Sequence, residues 1–224
     1  MDTKLQQLLE DGIREIDPAF ADTKLRSRLA RLYDEIELFN PKYALVNATD
    51  KDLVIRHVLD CLAPVTLFAE YGKRTGAGSE VRMADLGSGS GLPGLVLASV
   101  FDSWDISLVE RMGRRAGFLR NTVAAMGLSS GVRIVQKDLS EVRDQYDIIT
   151  FRAFRPFKDI ISDLDRILAP NGVILAYKSS EENIREEIQT LNDYDGSTFE
   201  VREEEYKVPK LDARRCLLIV TRKA

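Results

Sequence analysis

The segment Asp85-Leu-Gly-Ser-Gly-Ser-Gly-Leu-Pro-Gly94 carries the most legible chemistry in this sequence. It begins within the first strand candidate, Val81–Leu86, and leads into an apolar run that reads as a helix. Glycines permit a tight turn and a close approach of backbone to ligand, and the helix start offers N–H groups without intrahelical partners. Gly89, Gly91 and Gly94 satisfy G-x-G-x-x-G, which serves both dinucleotides and S-adenosylmethionine. Asp85 separates the two. A carboxylate before the first glycine suits a cationic amino-acid end and would repel a pyrophosphate. Glu110 closes the next strand, where an acid can take both hydroxyls of a ribose. Asp138 follows the third strand and is placed for an adenine amine, with Leu139 over the adenine face; its plainer role is a helix cap. The pattern points to an S-adenosylmethionine site.

These residues need a frame that brings strand ends together, and the rest of the chain supplies one. Strands are expected at Val81–Leu86, Trp104–Glu110, Val132–Gln136, Tyr146–Phe151 and Val173–Lys178, with helices at Pro93–Val100, Arg114–Met126 and Phe157–Leu168. Gly127 and Pro170-Asn-Gly172 stand where helices should stop. Alternation of this kind predicts a parallel sheet covered on both faces, with ligands at the carboxyl ends of its strands. After a helix near Glu181–Leu191, strands at Thr198–Tyr206 and Arg215–Thr221 are joined too closely for a crossover and should pair antiparallel. A parallel sheet ending in such a hairpin is the class I methyltransferase pattern, an α/β Rossmann-like fold.

Before this region the sequence is helical. Leu5, Leu8, Leu9, Ile13 and Ile16 share one helical face, and Leu25, Leu29, Leu32, Ile36 and Phe39 share another. Asn40-Pro41 should stop the second helix, and Thr49 with Asp52 should cap a third that runs through Leu59. Gly72–Gly78 reads as a flexible junction. The division expected is a helical extension, residues 1–71, and a cofactor-binding domain, residues 79–224.

Composition sets outer bounds. The 224 residues carry a net charge of −4, which excludes a generally basic nucleic-acid coat. Two cysteines, Cys61 and Cys216, and one histidine, His57, make no zinc pattern, so no metal is expected. Charges scattered through the N-terminus and the lack of a long apolar run predict a cytoplasmic protein with no membrane partner. Basic residues nevertheless gather locally: Arg111, Arg114, Arg115 and Arg120 around one helix start, and Arg152, Arg155 and Lys158 after the fourth strand. Both groups fall at the ligand edge, within reach of RNA phosphates.

At five places the sequence resembles the RsmG (GidB) family of small-subunit ribosomal RNA guanine-N7 methyltransferases. They are Phe39-Asn-Pro-Lys-Tyr-Ala-Leu45, Arg56-His-Val-Leu-Asp60, Asp85–Gly94, Glu110-Arg-Met-Gly-Arg-Arg-Ala-Gly-Phe-Leu119 and Thr150-Phe-Arg-Ala-Phe154. The resemblance implies methylation of N7 of one guanine in 16S rRNA, as naked RNA or a small-subunit precursor, by a monomer. It matches Gly87, Leu92, Glu110, Leu139, Ser140 and Arg152 to family cofactor positions. Four positions depart from the family: Phe39 for Trp, Ala44 for Asn, Arg111 for Ser and Ser140 for an acid.

Guanine N7 bears a lone pair and no proton, so in-line attack on a sulfonium methyl needs orientation more than a base. Arg152 is the expected catalytic residue, contacting guanine O6 or a phosphate. Asn40, Lys42, His57 and Asp60 are further candidates for the guanine pocket, with Arg114, Arg115 and Arg155 for RNA; a packing role suits His57 better than a catalytic one. Two rival functions use the same frame: methylation of a small metabolite, and nucleotide sensing without catalysis.

Overall fold

The computed structural model describes residues 1–78, 80–194 and 199–223. Helix α1 (Thr3–Ile16) begins where Asp2 accepts the Leu5 amide at 2.8 Å, and α2 (Thr23–Tyr43) where Asp22 accepts that of Leu25 at 2.7 Å. The expected stop at Asn40-Pro41 does not occur: Pro41 lies inside the last turn of α2. Proline removes a single N–H there, and the turn is still closed by the Ala44 amide on the Asn40 carbonyl at 2.9 Å. The helix stops at Ala44, which is left-handed (φ 48°).

A short α3 (Asp50–Leu53) passes without a break into a π-helical stretch, Val54–Leu59, and then into α4 (Asp60–Leu62). Thr49 occupies the cap position but makes no side-chain bond, so the capping box expected with Asp52 is not formed. Helix α5 (Val65–Arg74) extends into the expected junction. Gly72 is helical because the Trp104 ring packs against it, 2.6 Å from where a Cβ would sit. The left-handed glycines Gly76 and Gly78 make the turn instead. Ser79 and Thr198, expected starts of the second domain and the sixth strand, lie outside the described residues.

The sheet contains β1 (Arg82–Leu86), β2 (Asp105–Val109), β3 (Val132–Val135), β4 (Tyr146–Arg152), β5 (Leu168–Lys178), β6 (Phe199–Glu205) and β7 (Cys216–Arg222), in the order β3-β2-β1-β4-β5-β7-β6. The first five are parallel; β7 runs antiparallel to both β5 and β6. Helices α6 (Gly94–Val100), α7 (Gly113–Ala125), α8 (Phe157–Ile167) and α9 (Glu181–Asn192) connect them. Gly127 ends α7 in the left-handed region (φ 67°), as expected. The Pro170-Asn-Gly172 turn does not terminate a helix. Because Leu168 is buried and already pairs with Tyr146, α8 runs straight into β5, and the turn becomes a bulge before Val173 pairs with Ile148.

Alternation along the strands sorts the core into two layers. Ile149, Phe151, Ile174, Ala176 and Leu218 face Phe157, Ile160 and Leu164 of α8 and Ile184 of α9. Ile148, Val173, Leu175 and Leu217 face the other way, in a cluster with α6, α7 and the N-terminal helices, including Leu9, Ile13, Leu29 and Leu32. No helix among the described residues is long and apolar enough to cross a membrane.

Candidate active site

Strand order reverses at β1, which lies between β2 and β4, and the glycine loop leaves its carboxyl end at this switch point. The Gly87 and Ser88 amides both donate to the Val109 carbonyl, at 2.9 and 3.1 Å. Gly87 has φ 68°, and a Cβ there would come within 2.3 Å of the Phe154 ring, so only glycine fits. Two carboxylates brace the loop from beneath. Asp85 Oδ2 accepts the Gly94 amide at 3.1 Å; Glu110 accepts the Gly89 amide on Oε2 at 3.1 Å and the Met112 amide on Oε1 at 2.7 Å. Asp85 is fully buried, and burial pushes its carboxyl up to about 7. Its Oδ1 is buried without a hydrogen-bond partner.

A cavity of about 260 Å³ opens beside this loop, lined by Gly87, Val109, Glu110, Arg111, Met112, Arg115, Lys137, Asp138, Leu139 and Ala153–Arg155. A carboxylate, an apolar face at buried Leu139 and an unsatisfied buried acid behind the loop fit an adenosine-bearing ligand with a cationic end. Asp138 also caps the short 3₁₀ turn Leu139–Glu141, accepting the amide and the hydroxyl of Ser140 at 3.2 and 3.1 Å. Arg155 and Arg111 approach the Asp138 carboxylate at 3.7 and 3.9 Å.

A second cavity, of about 440 Å³, lies on the other side of Ala153-Phe154-Arg155, which line both spaces. Its floor is Asp60, which is 1% exposed. Asp60 Oδ2 lies 3.2 Å from Arg152 Nη2 and 3.1 Å from Arg215 Nε, while the Tyr206 hydroxyl donates to Oδ1 at 3.0 Å. Across the cavity, Lys178 at the end of β5 lies 2.6 Å from Glu187 of α9.

The predicted residues therefore divide. Gly87, Glu110, Asp138, Leu139, Arg115 and Arg155 share the first cavity, whereas Asp60 and Arg152 line the second. Arg152 donates to the Arg56 carbonyl at 2.7 Å and lies 3.4 Å from His57 Nδ1. A guanidinium at that distance makes Nδ1 the acceptor and places the imidazole proton on Nε2. Burial, reinforced by Arg152, lowers the His57 pKa to about 4. Gly89, Gly91, Leu92 and Ser140 support the loop and turn without lining either cavity. Asn40 and Lys42 are also outside both linings. Asn40 accepts the Val46 amide at 3.0 Å, and Lys42 sits over the Tyr43 ring. Arg114 is exposed on α7.

The sequence reading missed Lys178, Glu187, Tyr206 and Arg215. Lys178 was within reach of the strand-end rule that picked out Glu110 and Arg152. Nothing in the local pattern of α9 distinguishes Glu187 from its acidic neighbours.

The model of the GidB family, rRNA small subunit methyltransferase G, matches residues 25–213. The chain belongs to this family. The protein named ribosomal RNA small subunit methyltransferase G in Bordetella pertussis is 31% identical over 207 residues, covering 90% of this chain and 87% of the relative. Its namesake in Treponema denticola is also 31% identical, over 96% and 92% of the two chains. Among solved structures, an S-adenosylmethionine-dependent O-methyltransferase from Thermotoga maritima superposes with TM-score 0.54 at 17% identity, over 86% of this chain and 72% of that one. That likeness concerns the fold: this family member carries the class I methyltransferase sheet, mostly parallel with an antiparallel end.

Proposed function

We propose that the protein transfers a methyl group from S-adenosylmethionine to N7 of a guanine in 16S rRNA, acting as a cytoplasmic monomer. The observation that carries this reading is the pair of cavities separated by Ala153-Phe154-Arg155, one beside the glycine loop and one beside Asp60, within a chain of this family. Residues 79–224 form the cofactor-binding domain, and the helical part, residues 1–71, contributes Asp60 to the acceptor side.

S-adenosylmethionine, when bound, supplies an electrophilic methyl on sulfonium sulfur. The chain's own residues hold and orient. Glu110 would hold the ribose hydroxyls and Leu139 would cover the adenine, while the buried carboxyl of Asp85 behind the loop would favour the cationic amino end. Arg152 fixes the end of β4, and with it the Ala153–Arg155 strap between the cavities. N7 has no proton to lose, and the site matches that economy. The nearby His57 is neutral, and its Nδ1 is occupied by Arg152. Rate enhancement then comes from orientation, a term that can supply several kcal/mol. Exposed arginines such as Arg114 hold the RNA backbone.

Incubation with methyl-labelled S-adenosylmethionine and small-subunit RNA or particles tests the reading. Label should appear in the RNA as 7-methylguanine at one position, and Glu110→Ala should lose about 1–3 kcal/mol of cofactor affinity. Label entering only small molecules, or NAD competing for the site, would overturn it.

A further inference from the structure

The second cavity is lined by acids and bases in near balance: Asp60, Glu186 and Glu187 against Arg152, Arg155, Lys178 and Arg215. Such a lining repels a phosphate from its acidic half and suits an uncharged ligand rich in both donors and acceptors. At about 440 Å³ the space is in the range that holds small planar ligands, about 300–1,000 Å³. A base still stacked in a helix cannot enter a cleft bounded by α9, the end of β5 and the Asp60 floor; an extruded base can.

One pair within this lining has a definite shape. Lys178 reaches the cavity from the end of β5, its ammonium held 5.5 and 5.3 Å from the Phe151 and Phe157 ring centroids. The side chains of Lys178 and Glu187 are only 14% and 11% exposed, and their charged ends lie 2.6 Å apart. Glu187 Oε2 is enclosed, and the Lys178 ammonium is the group held against it. A desolvated ion pair of this kind adds little to stability compared with apolar side chains of the same size. The Asp60 cluster differs: its carboxylate already takes directed hydrogen bonds from Arg215 and Tyr206.

We infer that Lys178 and Glu187 read the Watson–Crick edge of the extruded guanine. This edge presents an acceptor, O6, followed by two donors, N1–H and N2–H. A carboxylate accepts the two donors side by side, and an ammonium beside it donates to O6. Among the four RNA bases only guanine offers two adjacent ring-edge donors next to an acceptor. Held this way, the base leaves N7, on the adjoining Hoogsteen edge, free of the specificity contacts. The inference rests on the proposed function and adds the residues that select the base.

Single-turnover methyl transfer to small-subunit RNA, with either guanosine or inosine at the mapped position, tests this assignment. Inosine lacks only the 2-amino group. With wild-type protein it should react roughly 10- to 100-fold more slowly at saturating RNA. Glu187→Gln should slow guanosine by a similar factor, slow inosine much less, and leave affinity for RNA and S-adenosylhomocysteine within about twofold. The double variant Lys178→Met/Glu187→Leu guards against misfolding: it should unfold no earlier than wild type yet transfer poorly. A folded double variant with wild-type rates, or equal wild-type rates on guanosine and inosine, overturns base reading by this pair while leaving methyl transfer to rRNA intact. A wild-type protein that methylates no small-subunit RNA removes the proposed function, and this inference with it.

Discussion

Arg152 Nη2 lies 3.2 Å from Asp60 Oδ2, joining the last residue of β4 to the first residue of α4. Arg215, just before β7, shares the same carboxylate oxygen, and Tyr206, just after β6, takes the other. One buried acid thus ties the N-terminal helices to the centre of the sheet and to its antiparallel end. The contact also explains the unusual helix around it. Arg152 donates to the Arg56 carbonyl, which lies within the π-helical stretch Val54–Leu59, where looser backbone bonding leaves carbonyls available to outside donors.

Asp60→Ala should therefore destabilise the fold by about 3–5 kcal/mol, because it leaves two largely buried guanidinium groups without their counter-charge. Asp60→Asn should cost less, since the amide oxygen keeps one acceptor for Tyr206 or an arginine. Urea denaturation of both variants checks this order; a loss under about 1 kcal/mol for the alanine variant would reduce the cluster to a surface-like ion pair.

The elements that position the site were legible in the sequence because each follows from local pattern. Short strand-like runs alternating with helical segments marked the parallel sheet, and G-x-G-x-x-G after the first of them marked the switch-point loop. The short Lys207–Ala213 link gave the antiparallel end. Errors arose where a local signal met a tertiary partner. Pro41 did not end α2, since only one N–H was lost, and Gly72 stayed helical to admit the Trp104 ring. Lys178 and Glu187 come from separate elements, and their proximity depends on how α9 packs over β5, which no residue spacing encodes.

Asp85 makes stability and cofactor binding depend on pH in opposite ways. Its carboxyl is raised from 3.8 to about 7 by burial, so the folded chain holds a proton that the unfolded chain has lost. Its penalty is absent below about pH 4, accumulates as pH rises to about 7, and stays constant above that. Asp85→Asn should consequently raise stability more at pH 8 than at pH 4.5, while weakening S-adenosylmethionine binding. A cationic amino end favours the ionised acid, so binding near pH 6 should release protons. Calorimetry in buffers of different ionisation enthalpy reads this directly; zero proton release at pH 6 would separate Asp85 from the ligand's charge.

The two neighbouring arginines at the start of α7 should behave differently. Arg114 is exposed, whereas Arg115 lines the cavity beside the glycine loop. Arg114→Ala should weaken RNA binding and reduce its salt dependence by about one phosphate contact, with cofactor affinity unchanged. Arg115→Ala should weaken both. Filter binding from low to moderate salt, paired with cofactor titration, distinguishes them, and a salt-independent RNA affinity would refute backbone contacts at this face.

His57 should not set the pH dependence of methyl transfer. Burial and Arg152 lower its pKa from 6.5 to about 4, so it is neutral throughout the physiological range. Its folded pKa lies below the unfolded one, so its contribution to stability is complete above about pH 6.5 and declines as pH falls toward 4. Single-turnover rates at saturating RNA and cofactor should be nearly flat between about pH 6.5 and 8.5, since an unprotonated acceptor leaves nothing near neutrality to titrate. With Asp85 titrating only in the free protein, apparent cofactor affinity should fall below pH 7 while the saturated rate does not. His57→Gln keeps an acceptor toward Arg152 and should retain most of the rate, with thermal unfolding at pH 5 and pH 8 as the control for folding. The variant should lose less stability than wild type between those two pH values, because it lacks the proton that the unfolded histidine takes up. A folded variant slowed by more than about 100-fold, with a wild-type rate that drops below a pKa near 6.5, would make His57 a general base. It would also move the methyl acceptor away from N7, to an atom that must lose a proton before it can attack.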